Sequence, residues 1–218
     1  MSETNGLMTP EIALQELKDG NDRFQKNIRT DRNLLKEVHD TSTGQQPIAT
    51  ILHCIDSRVS AELIFDLGVG DVFSARVAGN IVNPDILGSM EFANNLSTSR
   101  LIVVLGHTGC GAVGGTIVHA GTDNLTTLLQ KIRPAIGATT EPSDGASRVG
   151  SNKAFVNRVA ATNVRLTIEN IRNQSKTLRD LENLPDSDSK RIKIVGGMYD
   201  IADGKIHWDK WDEDIALV

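Results

Sequence analysis

Ile48-Ala49-Thr50-Ile51-Leu52 is a short, nearly all-apolar run that gives way at once to His53-Cys54-Ile55-Asp56-Ser57-Arg58. A run of this length without polar alternation suits a parallel strand buried on both faces. The pattern recurs further along the chain, where Leu101-Ile102-Val103-Val104-Leu105 runs directly into Gly106-His107-Thr108-Gly109-Cys110-Gly111. Strands that end in ligand-type side chains are informative, because open α/β sheets bind ligands outside the carboxyl ends of their strands.

Outward from these two strands the pattern alternates. Residues 60–67 read as a short helix stopped by Gly68, 72–77 as a second strand and 85–96 as a helix. Helices are expected over 111–119, 123–133 and 152–175, the last with Ala154, Val156, Val159, Val164, Ile168 and Ile171 as its apolar stripe. Residues 191–195 supply a fourth strand, and Asp203-Gly204, between Ile201 and Ile206, signals a hairpin. Near the start, Thr9-Pro10-Glu11 opens a helix with a capping hydroxyl, a first-turn proline and an acid. Ala13, Leu17 and Phe24 follow at helical spacing, as in an arm packed on the body or on a partner subunit. Residues 28–45 are polar and irregular, and 137–151, rich in Gly, Ser, Thr and Pro, form one long loop.

Strands alternating with helices predict an α/β fold: a mainly parallel central sheet flanked by helices, with an antiparallel edge and an N-terminal helical arm. No repeat or linker divides the chain, so residues 1–218 are expected to form a single domain. Within it, 1–43 are the arm and extension and 44–218 the core that carries the chemistry.

Composition excludes several function classes. A net charge of -5 argues against nucleic acid as a partner, since such binders carry a basic face. No apolar run of about 18 residues occurs, so no membrane span is expected. The first ten residues lack the basic start and apolar centre of a secretory signal, which points to a cytoplasmic protein. Two cysteines in 218 residues are too few for a disulfide framework.

The cysteines have a different use if the two strands end side by side. Cys54, His107 and Cys110 would then meet, and two thiolates with one imidazole are a known catalytic zinc set that keeps a fourth position open. Asp56 and Arg58, two and four residues past Cys54, can reach that open side. Gly109-Cys110-Gly111-Ala112-Val113-Gly114 also matches a dinucleotide-binding fingerprint. That reading fails because no strand ending in an acid follows at the required spacing; Asp123 opens a helical stretch instead. His53 should point to the opposite sheet face from Cys54 and read as a packed histidine, with a proton-shuttle role as the minority reading. His39, His119 and His207 carry no signal.

Cys-x-Asp-Ser-Arg followed by His-x-x-Cys-Gly resembles the β-class carbonic anhydrases, and the resemblance extends from about Gly44 to Trp208. Supporting segments are Gly70-Asp71-Val72-Phe73, Arg76-Val77-Ala78-Gly79-Asn80, Gly88-Ser89-Met90-Glu91-Phe92 and Gly197-Met198-Tyr199-Asp200. The resemblance implies Zn2+ held by Cys54, His107 and Cys110, an Asp56–Arg58 dyad, and hydration of CO2 to bicarbonate by hydroxide generated at zinc. Asp56 would become a fourth ligand only in a closed state. It also implies substrate contacts from Gln45, an apolar pocket of Phe73, Ala78 and Phe92, and an amide from Gly111. The family assembles as homodimers or homotetramers with the pocket built across the subunit boundary. A tryptophan three positions before the first cysteine, used for bicarbonate inhibition in some relatives, is Ile51 here. Alternatives of other kinds are a same-fold hydrolase of CS2 or COS and an inactive zinc-binding interaction protein.

Overall fold

The computed structural model describes residues 8–208; the outermost parts of the expected arm and core, 1–7 and 209–218, lie outside it. Helix α1 (Pro10–Gln25) begins as its sequence dictates, with the Thr9 hydroxyl accepting the Ile12 amide at 3.3 Å. Helix α2 (Leu34–Asp40) lies inside the stretch expected to be irregular. Seven residues make under two turns and none is buried, so no inward-facing stripe betrays it. It is held by polar contacts: Asn33 caps the Lys36 amide at 3.0 Å, and Glu37 accepts the Val69 amide at 3.0 Å.

The sheet follows. Strand β1 (Ala49–His53) leads through α3 (Ala61–Ile64) to β2 (Val72–Arg76), then α4 (Pro84–Glu91) and a wider turn over Phe92–Leu96 lead to β3 (Leu101–His107). Helices α5 (Gly111–Ile117), α6 (Asp123–Ala138), α7 (Lys153–Gln174) and α8 (Lys176–Glu182) precede β4 (Lys193–Tyr199) and β5 (Ile206–His207). The spatial order is β2-β1-β3-β4-β5, with four parallel strands and β5 antiparallel to β4.

The differences from expectation are local. Helix α6 continues through Pro134 to Ala138, because its buried Leu129, Ile132 and Ala135 keep it on the core past the proline. Helix α8 was not expected; Ser175 ends α7 and its hydroxyl caps the Leu178 amide at 3.2 Å to start a new helix. Strand β4 starts two residues later than predicted and runs through Gly196 and Gly197, which pair with Val104 and Leu105. Glycine has low strand preference, so its inclusion is decided by the neighbouring strand.

Each sheet face buries its own cluster. Ala49, Ile51, Val103 and Leu105 pack against Leu17 of α1 and Phe65 beyond α3. Leu52, Ile102 and Val104 pack on the other side beneath α4 and α6–α8, with Phe155, Val164 and Met90 among their neighbours. The arm is therefore seated on its own body. Buried Asn21 donates to the Gly204 carbonyl at 2.9 Å and accepts the Ile206 amide at 3.0 Å, tying α1 to β5.

From β1 the chain steps to β2 on one side and returns to β3 on the other. The carboxyl ends of β1 and β3 thus flank a topological switch point, where open α/β sheets leave a crevice.

The end of α1 is anchored by Asp66, whose buried carboxylate accepts Arg23 Nε at 2.6 Å and the Thr30 hydroxyl and amide at 2.8 and 3.1 Å. Burial alone would raise this carboxyl, but the hydrogen bonds from Arg23 and Thr30 outweigh it and hold the pKa at about 2, below the ordinary 3.8. A carboxyl lowered in this way stabilises the fold above its unfolded pKa and loses that contribution as pH falls through the folded value. The gap corresponds to about 2 kcal/mol. Asp66→Asn keeps the size and tolerates the left-handed backbone (φ 50°). It should cost about 2 kcal/mol in urea unfolding near pH 7, and the deficit should shrink between about pH 4 and pH 2. A deficit that ignores pH across that window would refute the paired-carboxylate account.

Candidate metal centre

The switch point holds the three residues picked out from the sequence. Cys54 is the first residue after β1, His107 the last of β3, and Cys110 immediately precedes α5. Their ligand atoms all lie within 4.8 Å of one another, and all three residues are buried. Both cysteines are free thiols.

Two features of this group call for a cation. His107 Nδ1 lies 2.9 Å from the Thr108 carbonyl, which can only accept, so the proton sits on Nδ1 and the Nε2 lone pair is left over. That Nε2 is buried without a hydrogen-bond partner. An unpartnered buried nitrogen costs about 1–3 kcal/mol, so its persistence needs a reason. The two sulfurs supply the second feature. The Cys110 hydrogen bond lowers the Cys54 thiol strongly, while the same contact and burial push Cys110 up. The pair gives up one proton readily and the second reluctantly, the behaviour of a site that a divalent ion would neutralise. Two thiolates and an imidazole in one cluster fit zinc, whose ligands sit at about 2.0–2.3 Å.

The dyad sits beside this group. Arg58 donates its amide and Nε to Asp56 Oδ1 at 3.0 and 2.9 Å and its Nη2 to Oδ2 at 2.7 Å. This two-pronged pair, with the Arg58 amide, holds the Asp56 carboxyl well below the usual carboxylate range. Asp56 is thus turned toward Arg58 and is not part of the three-residue ligand group.

Several supporting residues carry no recognisable role in the sequence. Arg76, at the end of β2 and in register with His53, donates to the carbonyls of Cys54, Asp56 and Val59 at 3.0–3.3 Å and so shapes the loop after β1. Gly79, at φ 69°, donates its amide to Cys54 Sγ at 3.3 Å. Thr108 is fixed from β4: its amide reaches the Tyr199 carbonyl at 3.0 Å and its hydroxyl reaches Asp200 at 3.1 Å. An arginine at a strand's carboxyl end, next to a ligand strand, was the one usable signal among these. His53 is fully buried with Nε2 at 2.8 Å from Ser74 Oγ; burial and then Arg76 push its pKa down to about 4.

The expected substrate residues divide into two groups. Ala78 precedes Gly79 at the sulfur of Cys54, and Gly111 follows Cys110, with open space where its Cβ would be. Gln45, Phe73 and Phe92 are elsewhere in the chain. Phe73 pairs with Thr50, four residues before Cys54, or about 13 Å along a strand. It meets Phe92 edge to face at 6.3 Å beside a groove of about 660 Å³ at the β2 edge. Gln45 is exposed next to Gly70, at the amino end of β1.

The carbonic anhydrase family matches residues 49–206. A carbonic anhydrase of Mycolicibacterium smegmatis is 31% identical over 219 residues, spanning 96% of this chain and 98% of that protein. The β-carbonic anhydrase CafA of Aspergillus fumigatus superposes with a TM-score of 0.68 at 25% identity, covering 95% of this chain and 94% of its own. One of two tetrameric β-carbonic anhydrases from Sordaria macrospora does so with a TM-score of 0.67 at 24% identity, covering 80% of this chain and 90% of its own. A match that runs from the first strand to the last, together with a relative alignable over almost the whole of both proteins, leaves one assignment: this chain belongs to the β-class carbonic anhydrases, zinc enzymes that interconvert CO2 and bicarbonate.

Proposed function

We propose that Asp56 and Arg58 orient the reacting oxygen for CO2 hydration at Cys54, His107 and Cys110, and that a second copy of the chain completes the substrate pocket. The observation that carries the reading is the two-pronged Asp56–Arg58 pair beside a buried Cys-His-Cys group. Zinc, when bound there, acts as a Lewis acid that lowers the pKa of water toward about 7, less far beside two thiolates than beside neutral imidazoles. Asp56, kept ionised by Arg58, would accept a hydrogen bond from the attacking water and orient it toward the substrate carbon. With the pair broken, Asp56 is free to turn toward the ligand group and close the site.

The substrate is uncharged, so apolar walls suit it. Ala78 supplies one from the same chain. Phe73, Phe92 and Gln45 belong to a surface too far from their own Cys54, and they serve the site of a second copy. Phe92 is 57% exposed, an unusual state for a phenylalanine unless something covers it. Gln45 and the Gly111 amide then bind the oxygen that becomes negative. The core is taken as one catalytic domain over 44–218 with 1–43 as its arm, working in the cytoplasm, where thiols stay reduced. Among the described residues no helix is long and apolar enough to cross a membrane.

Purified protein should hold one zinc per chain and hydrate CO2 with a rate that rises from about pH 6.5 to about pH 9 in stopped-flow assays. Cys110→Ser should leave the fold intact by circular dichroism while bound zinc falls well below one per chain. One zinc without hydration at any pH would redirect the reading to CS2, COS or a binding role. Asp56→Asn should keep its zinc and lose activity on the order of 10²-fold. Full activity in that variant would remove Asp56 from the mechanism.

The shared pocket has its own check. Co-expressing Cys54→Ala with Gln45→Ala, each inactive alone, should yield hybrids with recovered activity, because one of their two sites is intact. Hybrids as inactive as the parents would place Gln45 outside the partner's pocket.

A further inference from the structure

Helix α7 is the longest in the fold, and its inward face is apolar except at a few positions. Asn157 and Asn163 sit on that face, 5% and 3% exposed, among Val156, Val159, Ala160 and Val164. Burying a side-chain amide costs about 1–3 kcal/mol unless it is hydrogen-bonded, so apolar residues would serve better if packing were the only demand. Asn157 instead reaches the turn that carries His107 and Cys110, and Asn163 reaches the turn after β2 whose Gly79 amide meets Cys54. Asn157 Oδ1 accepts the Gly109 amide at 2.8 Å, in the turn between His107 and Cys110. Asn163 Nδ2 donates to the Gly79 carbonyl at 2.8 Å, and Gly79 in turn donates its amide to Cys54 Sγ at 3.3 Å. The backbone partners settle which amide atom is which, since an N–H can only donate and a carbonyl only accept.

Both glycines need such support. Gly109 and Gly79 sit at φ 62° and 69°, a region that glycine enters easily but does not prefer over its alternatives. Without a partner, the turn between His107 and Cys110 could relax and separate the two ligands. Without the Asn163 bond, the Gly79 amide would lose its aim at Cys54, which would keep its negative charge without that donor. Tertiary packing of α7 on β3 thus also sets the spacing of loops that are far apart in sequence.

We propose that Asn157 and Asn163 are positioning residues that brace the metal group from α7: Asn157 sets the His107–Cys110 turn, and Asn163 holds the Gly79 turn that supplies the hydrogen bond to Cys54. The proposal rests on zinc binding at Cys54, His107 and Cys110. Outer partners of this kind are typically worth 10–100-fold in metal affinity.

The test measures zinc release into excess chelator and the thiolate charge-transfer band of the Co2+-substituted protein, neither of which depends on turnover. Asn157→Leu and Asn163→Leu should release zinc roughly 10–100-fold faster than the parent. Asn163→Leu should also shift the charge-transfer band, because its bond acts on the Cys54 sulfur. Val159→Ala, a buried α7 position outside both contacts, controls for lost helix packing. It should lower the unfolding temperature and leave zinc release near the parental rate.

Where the leucine variants fail to fold, the aspartates decide. Asn157→Asp keeps an acceptor for the Gly109 amide and should retain zinc. Asn163→Asp replaces the donor to the Gly79 carbonyl with an acceptor and should lose it. Asparagine variants that hold zinc as firmly as the parent would overturn the brace, as would Val159→Ala releasing zinc equally fast. A parent protein that binds no zinc would overturn the site itself, a result distinct from either.

Discussion

The parallel pairing of β1 with β3 is the constraint on which the rest depends. Its register runs from Ala49 opposite Leu101 to His53 opposite Leu105, which leaves Cys54 at the strand end beside the stretch leading to His107. Side chains alternate faces along a strand, so a slip of one residue would send Cys54 and His53 to each other's side and move Ile51 and Leu52 into each other's cluster, where they do not fit. Burial guards against that slip. Ile51 and Leu52 belong to opposite clusters, and both clusters are filled. The hydrophobic core thus does more than stabilise the sheet: it fixes where the metal ligands end up.

Three ligand atoms brought together in a dry place create an electrostatic problem that the surroundings only partly solve. The Gly79 amide relieves Cys54, and the Thr108 carbonyl holds His107 in one tautomer. Neither satisfies His107 Nε2 or neutralises a second thiolate. Structure and chemistry here share one cause, because the incomplete satisfaction of the protein groups is what makes the place a metal site. Around it, the charges that remain are paired outward. Asp56 is drawn to Arg58, and Arg76 spends its donors on loop carbonyls.

The single chain gathers Cys54, His107, Cys110, Asp56 and Arg58 at one place and leaves Phe73 and Phe92 on a different surface. Phe73 pairs with Thr50, four residues before Cys54, and meets Phe92 beside a groove at the open edge of β2. Helix α2 presents Leu34, Leu35 and Val38 to solvent on the polar-tethered segment that follows α1. Apolar groups exposed in this way are the kind of surface that association covers.

Much of this was legible in the residues themselves. The nearly all-apolar run at 48–52 and the apolar run at 101–105 announced buried parallel strands, and Thr9-Pro10 announced the start of the arm. Cys54, His107 and Cys110 stood out because such residues at strand ends have few other uses, and Asp56–Arg58 stood out by their spacing from Cys54. Helices α2 and α8 escaped notice, each too short for a period to show. The roles of Asn157, Asn163 and Asp200 were equally hidden, since a buried amide or carboxylate acts through a partner dozens of residues away. The division has a physical reason. Periodicity and residue chemistry are local and survive in the linear chain, so the sequence alone pointed to the strands, to the Cys-His-Cys group and to the Asp56–Arg58 pair. Which loops meet, which lone pair is left unpaired and which aromatic rings lie out of reach are decided by packing between distant segments, and only the tertiary structure holds that information.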